Sequence, residues 1–409
     1  MTAGAAATGE PAATDSPATD SPVIDPPTTQ SPVAGSSRPD APRADSLRTD
    51  ALRVGRSRVG RLRAGWLAAG VAAVVIASLA GLAIGPVGLN PAGVALELID
   101  LVPGVHLHSG LTGTEAAIVT QLRLPRVVLG LLVGATLALA GGTYQGVFRN
   151  PLADPYLLGA AAGAGLGATA AIVVSHAIDT GAAGGGGATP LTVPAAAFVG
   201  ALVAVGLTYA LGASGSGRGR YRGPAALILA GVAVASFLTA GQTFLMQRYA
   251  QTIRQVYSWL SGSLSTAGWH DVLLLLPYTV AMAVVVLAHR RQLDVMSVGD
   301  EEAASLGANP ERTRIILIVA ASLGTAAAVS VSGLIGFVGI IVPHTVRLLA
   351  GSSYRVILPL SLLFGAAFLT LADLAARTLL APNEIPIGVV TAFFGAPFFV
   401  IVLRGSRRA

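Results

Sequence analysis

Ten stretches of this chain are apolar enough and long enough to cross a lipid bilayer, and nothing else in the sequence limits its fold so severely. In hydrocarbon every backbone N–H and C=O must find its partner within the protein, which leaves helices and closed barrels as the spanning structures. The runs lie at about 65 to 86, 124 to 148, 157 to 176, 193 to 213, 224 to 246, 271 to 289, 314 to 333, 336 to 350, 357 to 380 and 387 to 404. Most approach the roughly 20 residues that a spanning helix needs. Two are weak. The third is interrupted by Gly159, Gly163, Gly165 and Gly167, and the eighth has about fifteen residues, roughly 22 Å of helix at 1.5 Å per residue. The predicted fold class is an all-α polytopic membrane protein of about ten transmembrane helices.

Composition excludes several functions. Charged residues are 11% of the 409 and apolar ones 53%, against about 25% charged in a soluble domain. All 26 basic residues are Arg. A P-loop places a Lys on the terminal phosphates, so a standard Walker site is ruled out, as is Lys Schiff-base chemistry. With no Cys there is no disulfide, thiolate nucleophile or Cys-ligated metal. No Gly-x-Ser-x-Gly or His-Glu-x-x-His occurs, and no pair of carboxylates lies deep in a span, which argues against an intramembrane enzyme. His344 stands beside Pro343 without a second ligand at metal spacing, and His106 and His108 alone make a poor site, so no metal site is expected.

Residues 1–62 are rich in Pro, Ala, Ser, Thr and Asp, with near-repeats at Thr14-Asp15-Ser16-Pro17 and Thr19-Asp20-Ser21-Pro22. They are expected to form a disordered cytoplasmic tail ending in an Arg cluster, ahead of a ten-span domain at 63–409. Basic loops stay on the cytoplasmic side of a membrane. Alternating the loops from a cytoplasmic N-terminus places inside the tail, Arg149, Arg218, Arg220, Arg222, Arg290, Arg291, Arg312, Arg314, Arg347, Arg355 and the arginines of the C-terminus. Five remain outside: Arg123, Arg126, Arg248, Arg254 and Arg377. Both termini are then cytoplasmic. The net charge of +6 belongs to these loops rather than to nucleic-acid binding.

The external arginines need a reason. Arg123-Leu124-Pro125-Arg126 opens the second span, with Pro125 suited to a first helical turn. Arg377 follows Asp373 by one turn, which an ordinary i, i+4 pair explains equally well, and the first two arginines could be snorkelling to headgroups. On the cytoplasmic side, Gly299-Asp300-Glu301-Glu302-Ala303-Ala304-Ser305-Leu306-Gly307 reads as a short polar helix, either touching a partner or serving as a solvated connector. The glycines at 130 to 142 and 159 to 167 read as helix-packing faces.

Several motifs occur together in order: Arg123-Leu124-Pro125-Arg126, Gly141-Gly142 with Gln145, Asn150-Pro151-Leu152-Ala153-Asp154-Pro155, Trp259-Leu260-Ser261-Gly262-Ser263, Gly336 through His344 with Arg347, Asp373 with Arg377, Glu384-Ile385-Pro386-Ile387-Gly388 and Gly395-Ala396-Pro397-Phe398-Phe399. In these the chain resembles the iron-siderophore and cobalamin (FecCD-type) permeases of ATP-binding-cassette importers, from about residue 65 to the end. The resemblance implies a type II ABC importer permease fold in the plasma membrane. It also implies a second permease copy or paralogue, two ATP-binding subunits that hold ATP and Mg, and an extracytoplasmic substrate-binding protein, with no cofactor in this chain. The substrate implied is a ferric siderophore or related large iron chelate, or else cobalamin or heme. Arg123, Arg126 and Arg377 match the family's docking arginines. Residues Gly299, Asp300, Glu301, Glu302, Ala303, Leu306 and Gly307 match its ATPase-coupling helix. Gly223, Pro224, Ala225 and Gly231 fall at its gate and pathway, although Pro224 departs from the small polar residues expected there. A secondary transporter is the other reading, but it needs ionisable groups at mid-membrane, and Asp373 lies near a span end.

Overall fold

A computed structural model describes residues 44–85, 87–100, 104, 108–179, 192–214 and 224–406. Most of the expected disordered tail lies outside these residues, as do Gly223, His106 and the arginines at 218 to 222. Within the stretch assigned to the tail, the backbone is already helical from Ala44.

Ten helices correspond to the ten runs: α1 (Ala44–Ala83), α2 (Leu124–Val147), α3 (Ala160–Asp179), α4 (Thr192–Ser214), α5 (Pro224–Arg248), α6 (Trp269–Ala288), α7 (Pro310–Ser332), α8 (Val338–Ala350), α9 (Tyr354–Thr378) and α10 (Ile387–Ser406). No strand occurs among the described residues. Eight of these helices are long and apolar enough to cross a membrane, whereas α8 and the apolar part of α10 are shorter.

The second span starts earlier than its hydropathy indicates. A capping box opens it at Thr112, whose Oγ1 accepts from the Glu115 N–H at 3.3 Å while Glu115 Oε2 accepts from the Thr112 N–H at 2.8 Å. Helix Gly113–Ala117 then passes through a π turn, Ile118–Arg123, into α2. Pro125 therefore follows a widened turn inside a continuous helix instead of opening one, and Arg123 sits in that turn. Single π turns often mark functional positions in helices.

Helix α2 is the axis of the bundle, packed on α6, α7, α8 and α9. Its small residues permit this. A Cβ at Gly134 would strike the Gly365 carbonyl of α9, and one at Gly141 would strike the Gly339 carbonyl of α8. Lipid supplies no hydrophobic drive between helices, so backbone proximity and polar contacts replace it. Tyr144 Oη lies 2.6 Å from Ser322 Oγ, and Thr136 Oγ1 lies 2.8 Å from Thr279 Oγ1. The glycines of α3 pack as expected too: Gly163 meets Gly200 of α4, and Gly167 meets Ala196.

Between α7 and α8 the backbone leaves helical form, with Gly333 and Phe337 both at φ 68°. Such a break survives in a membrane protein only where its polar groups find partners. Here the Tyr156 hydroxyl donates to the Ile335 carbonyl at 2.9 Å and accepts from the Ile335 N–H at 3.2 Å, while the Ser263 N–H donates to the Ser332 carbonyl at 2.9 Å.

Candidate functional site

Both polar ends of the bundle carry ion-pair clusters, separated by the length of α2. With 24 residues at 1.5 Å each that is roughly 36 Å.

At the Arg126 end, three guanidiniums meet two carboxylates. Arg126 is a fork between two acids: Nε and Nη2 donate to Asp373 at 2.8 to 3.1 Å, while Nη1 and Nη2 donate to the two oxygens of Glu384 at 2.8 and 3.0 Å. Arg377 Nε lies 3.7 Å from Asp373, and its Nη2 donates to the Gly81 carbonyl. Arg123 donates to the carbonyls of Leu82 at 2.7 Å, Ala83 at 3.0 Å and Val87. The last carbonyls of a helix lack intrahelical donors and sit at the negative pole of its dipole. Arg123 and Arg377 therefore cap the end of α1 with charged donors and tie it to α2 and α9.

This arrangement changes the expectation of free rim charges. Arg123 and Arg377 are buried, and Arg126 keeps 13% of its side chain exposed. Charge reversal at Arg123 would unseat α1 as well as alter the rim. Glu384, 36% exposed in the loop between α9 and α10, is the member of the cluster that sequence reasoning missed. It is 258 positions from Arg126, and only its place in the Glu384-to-Gly388 motif drew notice. The Arg126 hydrogen bond holds the Glu384 carboxyl below the usual carboxylate range despite partial burial.

At the opposite end, residues 299 to 307 do form the expected short helix, Asp300–Ser305, bounded by Gly299 at φ 141° and Gly307 at φ 81°. A Cβ at Gly299 would collide with the Glu302 carboxylate. Asp300 anchors the helix, accepting from Arg314 at 2.9 Å and forming an ion pair with Arg149 at 3.3 Å. Arg149 ends α2 in a left-handed conformation at φ 50°, the usual helix-terminating geometry. Ala303 is buried beneath the helix, and Glu301, Glu302, Ala304, Ser305 and Leu306 face outward, Leu306 at 71% exposure.

Of the expected gate residues, Gly223 lies outside the described residues. Pro224 heads α5 and Ala225 is exposed in its first turn. Gly231 is buried, and a Cβ there would strike the Leu157 carbonyl. That makes it a close-packing position against the segment leading into α3. The open space is elsewhere. A cavity of about 1420 Å³ lies among helix Ile253–Leu260, the start of α6 and the end of α7, with Arg254, Ser258, His270 and Ser332 among its walls. Trp269 Nε1 donates to the Thr120 carbonyl at 3.2 Å, which sets this cavity at the arginine end.

An oily helical bundle with a large cavity of mixed polar and apolar lining at one end and an exposed short helix at the other suits a membrane permease. Residues 73–405 match the FecCD transport family, and the chain belongs to it. It is 44% identical over 298 residues to a cobalamin import system permease protein of Halobacterium salinarum, covering 73% of this chain and 76% of that one. A Fe(3+)-citrate import system permease protein of Bacillus subtilis is 37% identical, with 73% and 85% covered. A hemin transport system permease protein of Yersinia pestis is 38% identical, with 70% and 83% covered. An inward-facing structure of a metal-chelate-type ABC transporter superposes with a TM-score of 0.70 at 28% identity, covering 83% of this chain and 98% of that one. The chain is thus an integral plasma-membrane permease of an ABC importer, a transporter and not an enzyme in its own right. The family's permeases work with ATPase and substrate-binding partners.

Proposed function

We propose that the chain carries a ferric siderophore or a related large iron chelate across the cytoplasmic membrane. Two separate ATP-binding subunits, which hold the ATP and its Mg ion, supply the energy. The observation that carries this reading is the two-ended polar architecture: an acid-seeking arginine cluster beside a large cavity, and, a bilayer's thickness away, a short helix anchored by Asp300 with its other face free. The first end is the extracytoplasmic one, where a substrate-binding protein docks. Arg126 meets it, and Arg123 and Arg377 stand behind to hold α1. The second end, with Gly299, Asp300, Glu301, Glu302, Ala303, Leu306 and Gly307, seats in the ATPase, and both termini lie on that cytoplasmic side. A second permease copy or paralogue covers the exposed Phe237 of α5 and Phe393 of α10.

Relatives named for Fe(3+)-citrate and hemin support an iron chelate. The relative at 44% identity, named for cobalamin, favours cobalamin as the second reading. Proteoliposomes holding the permease with its ATPase and binding protein test both. Radioactive ferric siderophore accumulates only with ATP and all three components, and competing cobalamin leaves uptake unchanged. Accumulation of cobalamin instead selects the second reading, and uptake without the ATPase refutes both.

A further inference from the structure

We propose that Glu384 occupies, in the undocked permease, the place on Arg126 that an acidic side chain of the docking protein takes, so that docking is an exchange of carboxylates that frees the lead-in to α10. The inference rests on the docking reading above.

The two acids on Arg126 are not equivalent. Asp373 is fixed on α9 with 4% of its side chain exposed, whereas Glu384 is on a loop and 36% exposed. Displacing Asp373 would strand a buried charge, the costly way to break an ion pair. Displacing Glu384 returns a carboxylate to water, where it is stable. An arriving acid therefore takes the Nη1 and Nη2 donors that Glu384 holds now. The cluster also attracts such an acid with Glu384 still in place, because Arg123, Arg126 and Arg377 outnumber Asp373 and Glu384 by one positive charge. Fields of this kind steer encounter and orientation. The partner is thus a protein that presents a Glu or Asp at this end.

Release of Glu384 reaches the cavity through few atoms. Three residues on, the Ile387 N–H donates to the Gly262 carbonyl at 3.3 Å and the Gly388 N–H donates to the Ser261 carbonyl at 3.1 Å. These are among the first N–H groups of α10, which no intrahelical acceptor serves. Ser261 and Gly262 close the helix Ile253–Leu260 that walls the cavity. The segment joining Arg126 to this wall is thus held by two ties, the ion pair and the Ile385 N–H donating to the Ala376 carbonyl at 2.9 Å, and exchanging the carboxylate removes the one that a partner can compete for.

Because the full chain has no cysteine, spin labels at Tyr257→Cys and Leu380→Cys, both exposed, report the separation of the wall from the α9–α10 loop. Glu384→Gln in lipid nanodiscs is expected to shift the label distances in the direction produced by adding the importer's substrate-binding protein to the otherwise wild-type pair. The same variant is expected to dock that protein about threefold more tightly, since a partly exposed competing ion pair is removed. Equal or weaker docking by Glu384→Gln, or unchanged label distances in that variant, overturns the proposal. If the wild-type chain binds no such protein, the docking reading fails, and the label comparison still decides whether Glu384 holds the cavity wall.

Discussion

Replacing Asp373 with Asn tests whether the arginine end is held by charge or merely tolerates it. Asp373 is 3% exposed, accepts three hydrogen bonds from Arg126 and lies 3.7 Å from Arg377. Removing one member of a buried ion pair typically costs about 3–5 kcal/mol, because the charge left behind stays desolvated. Here two guanidiniums lose that partner. The amide oxygen still accepts a hydrogen bond, which sets the expectation at the lower end, about 3 kcal/mol. Arg126 retains Glu384, so a double-mutant cycle of Asp373→Asn with Arg126→Gln is expected to recover about 2 kcal/mol as coupling. Unfolding by SDS in mixed micelles, followed through tryptophan fluorescence, measures each corner. Trp269, bonded to Thr120 near the cluster, reports local loosening. Buried ion pairs can also be replaced at no loss when desolvation outweighs attraction. An Asp373→Asn variant as stable as wild type, with no coupling to Arg126, would refute the reasoning and leave the cluster without a structural role.

Gly141→Val drives a side chain into the Gly339 carbonyl and is expected to cost 3 kcal/mol or more, beyond the roughly 1–3 kcal/mol of ordinary overpacking, because backbone cannot yield as a side chain does; the same SDS titration measures it. Asp300→Asn releases the short helix from Arg149 and Arg314, and it is expected to lower substrate-stimulated ATPase activity per folded, assembled importer at least tenfold and to cost the permease about 2–3 kcal/mol, because Arg314 is buried and loses its charged partner. In the loop before α3, burial pushes the Asp154 carboxyl up to about 6 from its ordinary 3.8. The native state therefore binds the proton more readily than the unfolded one, and stability falls as pH rises from about 4 through about 6, then levels. Asp154→Asn is expected to remove that slope, giving a gain of about 2–3 kcal/mol above pH 7 and none below pH 4, read by SDS titration at each pH.

The ten helices were legible because membrane burial writes itself into runs of apolar residues. Even the doubtful eighth run proved to be the short α8, and the glycines of α2 and α3 proved to be contact points. The start of the second span was misread for a physical reason. Pro125 looks like a first-turn residue, and nothing in the residues from Ile118 to Arg123 announces a π turn that accommodates proline within a helix. The close crossing of Gly231 on Leu157 was not legible either, because a small residue fits a crossing and a channel wall equally well. The Asp300 helix was legible as a polar stretch between an Arg-rich segment and Asn309-Pro310. Its anchor on Arg149 was not, since pairing across three elements leaves no periodicity.

The arginine end shows why residue type alone misassigns such a cluster. Arg123, Arg126 and Arg377 look interchangeable in sequence, yet their acceptors differ in kind. Arg123 and Arg377 bind backbone carbonyls in or just beyond the last turn of α1, and those oxygens cannot withdraw unless that turn unwinds. Arg126 binds the side-chain carboxylates of Asp373 and Glu384, and the loop carboxylate can swing away. Its planar fork, with donors in fixed directions, accepts a replacement carboxylate in the geometry that Glu384 leaves. The exchangeable contact therefore belongs to Arg126. Its two neighbours hold α1 in register, so that the charge offered to a partner is presented from a fixed frame.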